Sequence, residues 1–179
     1  MVDAVSSNCA NSSLNLYERL FKTLNGKGVR YLVVGGVAVN LYGIERATGD
    51  VGLFVDFKEQ NLNRFIEAAR SLNLVPRAPV DIQHILDPGT RKTWIEEKGM
   101  MAFGMYNKVN AWFQVDILIH EPLNFDETYD KKEEMDLEGT LVPVASVEAL
   151  IAMKEGTGRE QDEADAAHLK KILSDWNDE

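Results

Sequence analysis

The chain has a single cysteine, Cys9, so no disulfide can close within it, and a reducing compartment is its natural setting. Basic residues are scarce: 19 Lys and Arg stand against 29 Asp and Glu, for a net charge of -10. Tracking a nucleic-acid backbone needs a basic surface, so that class of partner is disfavoured, with only a local basic patch left open to it. No apolar run nears the roughly 18 residues of a membrane span. The opening residues MVDAVSSNCANSS also lack the basic end and apolar stretch of a secretion signal, so a cytoplasmic protein without membrane association is expected. The three histidines, His84, His120 and His168, show no metal-ligand spacing, which argues against a zinc site. Internal repeats and low-complexity blocks are absent as well.

What is present suits one globular domain. The 179 residues are 45% hydrophobic, enough for a substantial core. Residues 1–12 read as a flexible lead-in, with Ser12 or Ser13 free to cap a helix over 14–24 whose apolar residues (Leu14, Tyr17, Leu20, Phe21, Leu24) recur at helical spacing before Gly26 and Gly28. A second amphipathic helix is predicted over 60–72, and Pro76 and Pro79 mark a loop. Asp87-Pro88 reads as a cap and first helical residue, with the helix ended by Gly99. Residues 100–106 and 111–120 read as strands of a hairpin about Asn107–Asn110. Residues 121–138 hold eight acids against Lys131 and Lys132 and few core candidates, so a surface excursion, either solvated loop or edge hairpin, is expected. A strand over 141–144 and two helices, one opened by Ser146 and one over 160–176, complete the chain.

The stretch Tyr31–Phe57 organises the rest. Tyr31-Leu32-Val33-Val34 is a buried-strand run, Gly35-Gly36 interrupts it, and a small-residue helical turn follows. A second strand from Asp50 alternates, with Val51, Leu53, Val55 and Phe57 on one face and Asp50, Gly52, Phe54 and Asp56 on the other. A glycine pair at a strand-to-helix bend lets backbone N–H groups approach an anion, although such a pair in isolation is more often a plain turn. An acid on the adjoining strand can hold the metal that accompanies a phosphate. A second acid, Asp116, interrupts the apolar run Phe113–Ile119, which reads as buried on both faces; a carboxylate there needs a cation, a hydrogen-bonded partner or a cleft.

These residues resemble the first motif of the nucleotidyltransferase superfamily, which includes DNA polymerase β, the minimal nucleotidyltransferases and the AbiEii-type toxins. Its pattern is Gly-Gly or Gly-Ser at a bend, Asp-x-Asp on the next strand and a third acid on a later one. Gly35 and Gly36 match the bend, Asp50 the first acid and Asp116 the third, while Gly52 stands where the family has its second Asp. Arg46 and Thr48 fit the AbiEii-like form R-A-T-x-D, and the tail from Pro143 to Lys154 with Gly158, Arg159 and Asp162 is similar to the end of that group.

The resemblance implies an α/β (α+β) nucleotidyltransferase fold: a small mixed sheet, helices mainly on one side and a C-terminal helical pair. Residues 13–144 would form the core and 145–179 the helices beside it. It implies transfer of a nucleoside monophosphate from an NTP to a hydroxyl on a tRNA, a protein or a small molecule, dependent on Mg²⁺ or Mn²⁺. Asp50 and Asp116 would be the catalytic and metal-binding acids. Gly35, Gly36, Arg46, Thr48, Lys154 and Arg159 would bind nucleotide, with plain surface charge an equal reading of Lys154 and Arg159. Such chemistry commonly uses two ions roughly 3.5–4 Å apart. Gly52 withholds one of three expected carboxylates; Asp56 lies roughly 13 Å along the strand from it, and Glu45 reaches only if its loop folds inward. The alternatives are a single-metal or impaired enzyme, and an inactive nucleotide-binding or toxin–antitoxin-type module acting through a protein partner.

Overall fold

A helix over residues 16–26 (α1) buries Leu20, Phe21 and Leu24 and stacks Phe21 on Tyr31, ring centroids 6.2 Å apart, tying the helix to the first strand. The computed structural model describes residues 16–137 and 139–177; the lead-in expected over 1–12 and the Ser12 or Ser13 cap lie outside the described residues. The chain continues through β1 (Tyr31–Val34), α2 (Gly35–Leu41), β2 (Asp50–Val55), α3 (Glu59–Ser71), β3 (Leu74–Pro76) and a 3₁₀ turn (Ile82–Leu86). It then forms α4 (Pro88–Lys98), β4 (Ala102–Asn107), β5 (Gln114–Leu118), α5 (Phe125–Asp130), β6 (Glu133–Leu137), β7 (Thr140–Val144), α6 (Val147–Lys154) and α7 (Glu160–Asn177).

The strands form one mixed sheet in the order β3-β4-β5-β2-β1-β7-β6. β2 pairs with β5, and β1 with β7, in parallel; the other pairs are antiparallel. The alternation within β4, β5 and β2 separates two faces. Phe103, Met105, Val115, Ile117, Val51 and Leu53 are fully or almost fully buried on one. On the other, Ala102, Gln114, Asp116 and Leu118 remain half-buried. This corrects the expectation that 113–119 is buried on both faces: only Phe113, Val115, Ile117 and Ile119 are, and the alternate residues floor a cleft.

Other differences are local. Residues 74–76, within the stretch read as a loop, form a three-residue edge strand, too short to show alternation; Pro76 is tolerated at its end because an edge strand leaves one side unpaired. The acidic stretch does supply an edge strand, β6, with Glu133, Glu134 and Asp136 outward, a charged rim that discourages strand addition. It also contains α5, whose Phe125 is buried against Phe54 at 5.1 Å, so its contribution to the core exceeds the expectation. Caps fall where the residue types suggested. Asp87 accepts from the Thr90 amide at 2.7 Å, and the Ser146 hydroxyl accepts from the Ala149 amide at 3.2 Å. Leu150, Ile151 and Leu169, from the two C-terminal helices, join the same hydrophobic core as the sheet.

Candidate active site

β1 runs straight into α2 at Gly35, whose φ of +67° only glycine adopts without strain. Gly36 is constrained by space. A Cβ there would lie 2.5 Å from Thr48 Oγ1 and 3.0 Å from Arg46 Cζ, so the loop before β2 folds directly onto the bend. Asn40 fixes that loop: its side-chain amide donates to the Arg46 carbonyl at 3.0 Å and its oxygen accepts from the Arg46 amide at 3.1 Å. The Thr48 hydroxyl donates to the Asp50 carbonyl at 3.3 Å.

The parallel register of β2 and β5 pairs Asp50 with Gln114 and Gly52 with Asp116, placing both acids on the cleft face. Asp116 is 20% exposed at its side chain, and Arg77 donates to its Oδ1 at 2.5 Å. The other terminal nitrogen of Arg77 donates to Gln114 Oε1 at 2.9 Å. Burial pushes the Asp116 carboxyl above the usual carboxylate range; Arg77 opposes this and the charge of Asp50 reinforces it.

The opposite wall comes from the C-terminal helices. Lys154 is buried, and its Nζ donates to Asp162 at 3.0 Å and to Asp165 at 2.6 Å. Arg46 reaches Asp165 at 2.5 Å, and Arg159 reaches Asp162 at 2.6 Å while 74% of its side chain stays exposed. Burial acts to raise both aspartates, but hydrogen bonds from Lys154 and neighbouring cations outweigh it and hold both below the usual range. Three cations thus share two carboxylates, leaving a net positive wall that includes the loop over the glycine bend.

Gly35, Gly36, Arg46, Thr48, Asp50, Gly52, Asp116, Lys154 and Arg159 all line one cleft of about 290 Å³. Glu45 does not: it is exposed and faces a separate shallow groove with Asn40 and Gly43. Arg77 and Asp165 went unread in the sequence; Met101, whose apolar side chain reads there as core filling, is instead exposed and lines the apolar end of the cleft with Leu118 and Met153. Asp165 had a signal, since Asp162, Asp165, Ala166 and Leu169 share the spacing of one helical stripe. Arg77 had none, because 39 residues separate it from Asp116.

The donor set limits what ion the site accepts. Among the described residues no group of three or more His, Cys, Asp or Glu is placed to hold a metal. Mg²⁺ requires only one or two carboxylates when phosphates and water complete its shell, so Asp50 and Asp116 would be the acids that such an ion could use here. Gly52, paired with Asp116, brings no ligand to the cleft face.

Solved structures share this fold. A lincosamide antibiotic adenylyltransferase, LnuA, in its lincomycin-bound form, superimposes with a TM-score of 0.58 at 16% identity, covering 88% of this chain and 96% of that one. The antibiotic-resistance factor ANT(2'')-Ia in solution gives 0.51 at 12% identity over 93% of this chain and 96% of that one. The same factor in complex with adenylyl-2''-tobramycin gives 0.51 at 12% over 90% and 99%. No family model and no curated protein matches the sequence. The chain has the nucleotidyltransferase fold.

Proposed function

We propose that this cleft binds a nucleoside triphosphate with Mg²⁺ or Mn²⁺ and transfers the nucleoside monophosphate to a hydroxyl of a small-molecule acceptor. One observation carries the reading: the β2–β5 register puts Asp50 and Asp116 on one face, opening onto the same cleft as the Gly35-Gly36 bend. The cationic wall of Arg46, Lys154 and Arg159 suits the triphosphate, with Thr48 and the bend's backbone adding neutral donors. Asp50 and Asp116 would hold the ion, which when bound neutralises phosphate charge and steadies the leaving pyrophosphate. The acceptor oxygen bonds to the α-phosphorus as the bond to the pyrophosphate oxygen breaks, and the hydroxyl proton passes to solvent. The neighbours supply the acceptor class: their structures hold lincomycin and an adenylylated tobramycin, both small hydroxyl-bearing antibiotics.

Gly52 and the Arg77–Asp116 pair favour a second reading, in which the cleft binds nucleotide without turnover and acts through a protein partner, as a toxin–antitoxin-type module would. Incubation with α-labelled NTPs, Mg²⁺ or Mn²⁺ and a panel of hydroxylated acceptors distinguishes the two. Labelled acceptor from the unaltered chain and none from Asp116→Ala supports transfer. Nucleotide binding without product supports the module, and absence of nucleotide binding overturns both.

A further inference from the structure

Two residues without side chains flank Asp116: Gly52 on β2 and Gly104 on β4 are both paired with it. The two gaps have different contents. A Cβ at Gly104 would fall 2.0 Å from Arg77 Nη2, 2.1 Å from its Nε and 2.4 Å from its Cζ, so the Nε–Nη2 edge of the Arg77 guanidinium takes the space a side chain at Gly104 would fill. The Arg77 amide donates to the Gly104 carbonyl at 2.9 Å, anchoring the arginine at both ends. From there the guanidinium bridges Gln114 and one oxygen of Asp116. Arginine stays charged at any working pH, so this positive charge is permanent.

We infer that Arg77 is a resident cation of the nucleotide site, seated in the Gly104 slot against Asp116, where it adds fixed positive charge and restricts the carboxylate pair to one divalent ion. The inference rests on the proposed nucleotide site and deepens it. It follows from charge and geometry together. One oxygen of Asp116 is engaged by the guanidinium, Gly52 contributes no ligand, and a second dication would meet a fixed positive charge instead of a third carboxylate. A polyphosphate at the same place would be attracted by that charge.

A resident cation makes an unusual signature: its removal acts in opposite directions on cations and anions. In Arg77→Ala, Mn²⁺ binding without nucleotide, read from the free-ion electron paramagnetic resonance signal, is expected to tighten by about five- to tenfold. Binding of metal-free ATP in EDTA, read by calorimetry, is expected to weaken by about the same factor. Arg77→Lys keeps the charge and should stay near the unaltered protein in both assays. Gly104→Ala leaves Arg77 in the chain but ejects its flexible tip from the slot, so it should tighten Mn²⁺ as Arg77→Ala does. With an α,β-methylene ATP analogue, the unaltered chain should take up one Mn²⁺. A merely structural arginine would weaken both ligands or neither when removed, and either result overturns the inference, as does uptake of two Mn²⁺. Should the unaltered chain bind no nucleotide, the proposed function fails by itself, and the metal-only measurements on Arg77→Ala and Gly104→Ala still decide the role of Arg77.

Discussion

Thr48 covers Gly36 so closely that a single added methyl group would stand 2.5 Å from its hydroxyl oxygen. The bend and the loop ahead of β2 are therefore one unit, and the loop carries Arg46 into contact with Asp165 on α7. The nearest obstruction at Gly36 is side-chain rather than backbone, so a substitution there moves the loop and spares the sheet.

Gly36→Ala should consequently fold, with a stability loss of about 1–3 kcal/mol. Displacing Thr48 and Arg46 from the bend should reduce nucleotide affinity by about tenfold or more. Denaturant unfolding and calorimetric titration with ATP check the two effects separately. Unchanged affinity would remove the loop from the nucleotide site.

Gly52→Asp tests whether position 52 would serve as a ligand position. A Cβ there lies 3.1 Å from the Val34 carbonyl oxygen, so β1 must shift by a few tenths of an ångström. Stability is expected to fall by about 1–3 kcal/mol. Mn²⁺ binding should nevertheless strengthen, since a third carboxylate joins Asp50 and Asp116. Thermal melts with and without Mn²⁺ report both: a lower melting temperature in chelator and a larger rise on adding metal than in the unaltered chain.

Lys154→Met removes the cation shared by two buried carboxylates. Breaking one member of a buried ion network leaves uncompensated charge, so a loss of about 3–5 kcal/mol is expected by urea unfolding. Because Asp162 and Asp165 are held below the usual carboxylate range when folded, they add stability above that range. It should be lost as pH falls through their lowered values. The unaltered chain should then lose melting temperature steeply on acidification below about pH 4, and Lys154→Met should show a shallower acid limb.

Asp116→Asn should behave in the opposite sense. Its carboxyl is raised in the folded chain, so the unfolded chain ionises first and stability declines as pH rises from the ordinary carboxylate value through the raised one. Replacement by the neutral amide removes that cost, and stability at pH 7 should be unchanged or higher. Nucleotidyl transfer should vanish. A stable and inactive variant would be the expected outcome where function and stability are in conflict.

The elements that local chemistry specifies were legible in the chain. α3 buries Leu62, Phe65, Ile66 and Ala69 as their spacing required, and Asp87 and Ser146 cap the helices they precede. The cleft residues were legible because bend and strand signals are short-range and Asp116 is conspicuous within an apolar run. Leu74–Pro76 was not, because a three-residue edge strand has no period to detect.

By itself, then, the sequence determined most of the strands and helices, though not β3 or α5, and it set two acids and a glycine pair in a pattern that resembles a phosphate site with Gly52 at its second acid position. Only the tertiary structure decided what stands around that gap. The β3–β4–β5 pairing carries Arg77 to Asp116, and the packing of α7 turns Lys154 and Arg46 toward buried aspartates. The reason is physical: charge partnership depends on separation in space, and strand order and helix packing set that separation between residues far apart along the chain.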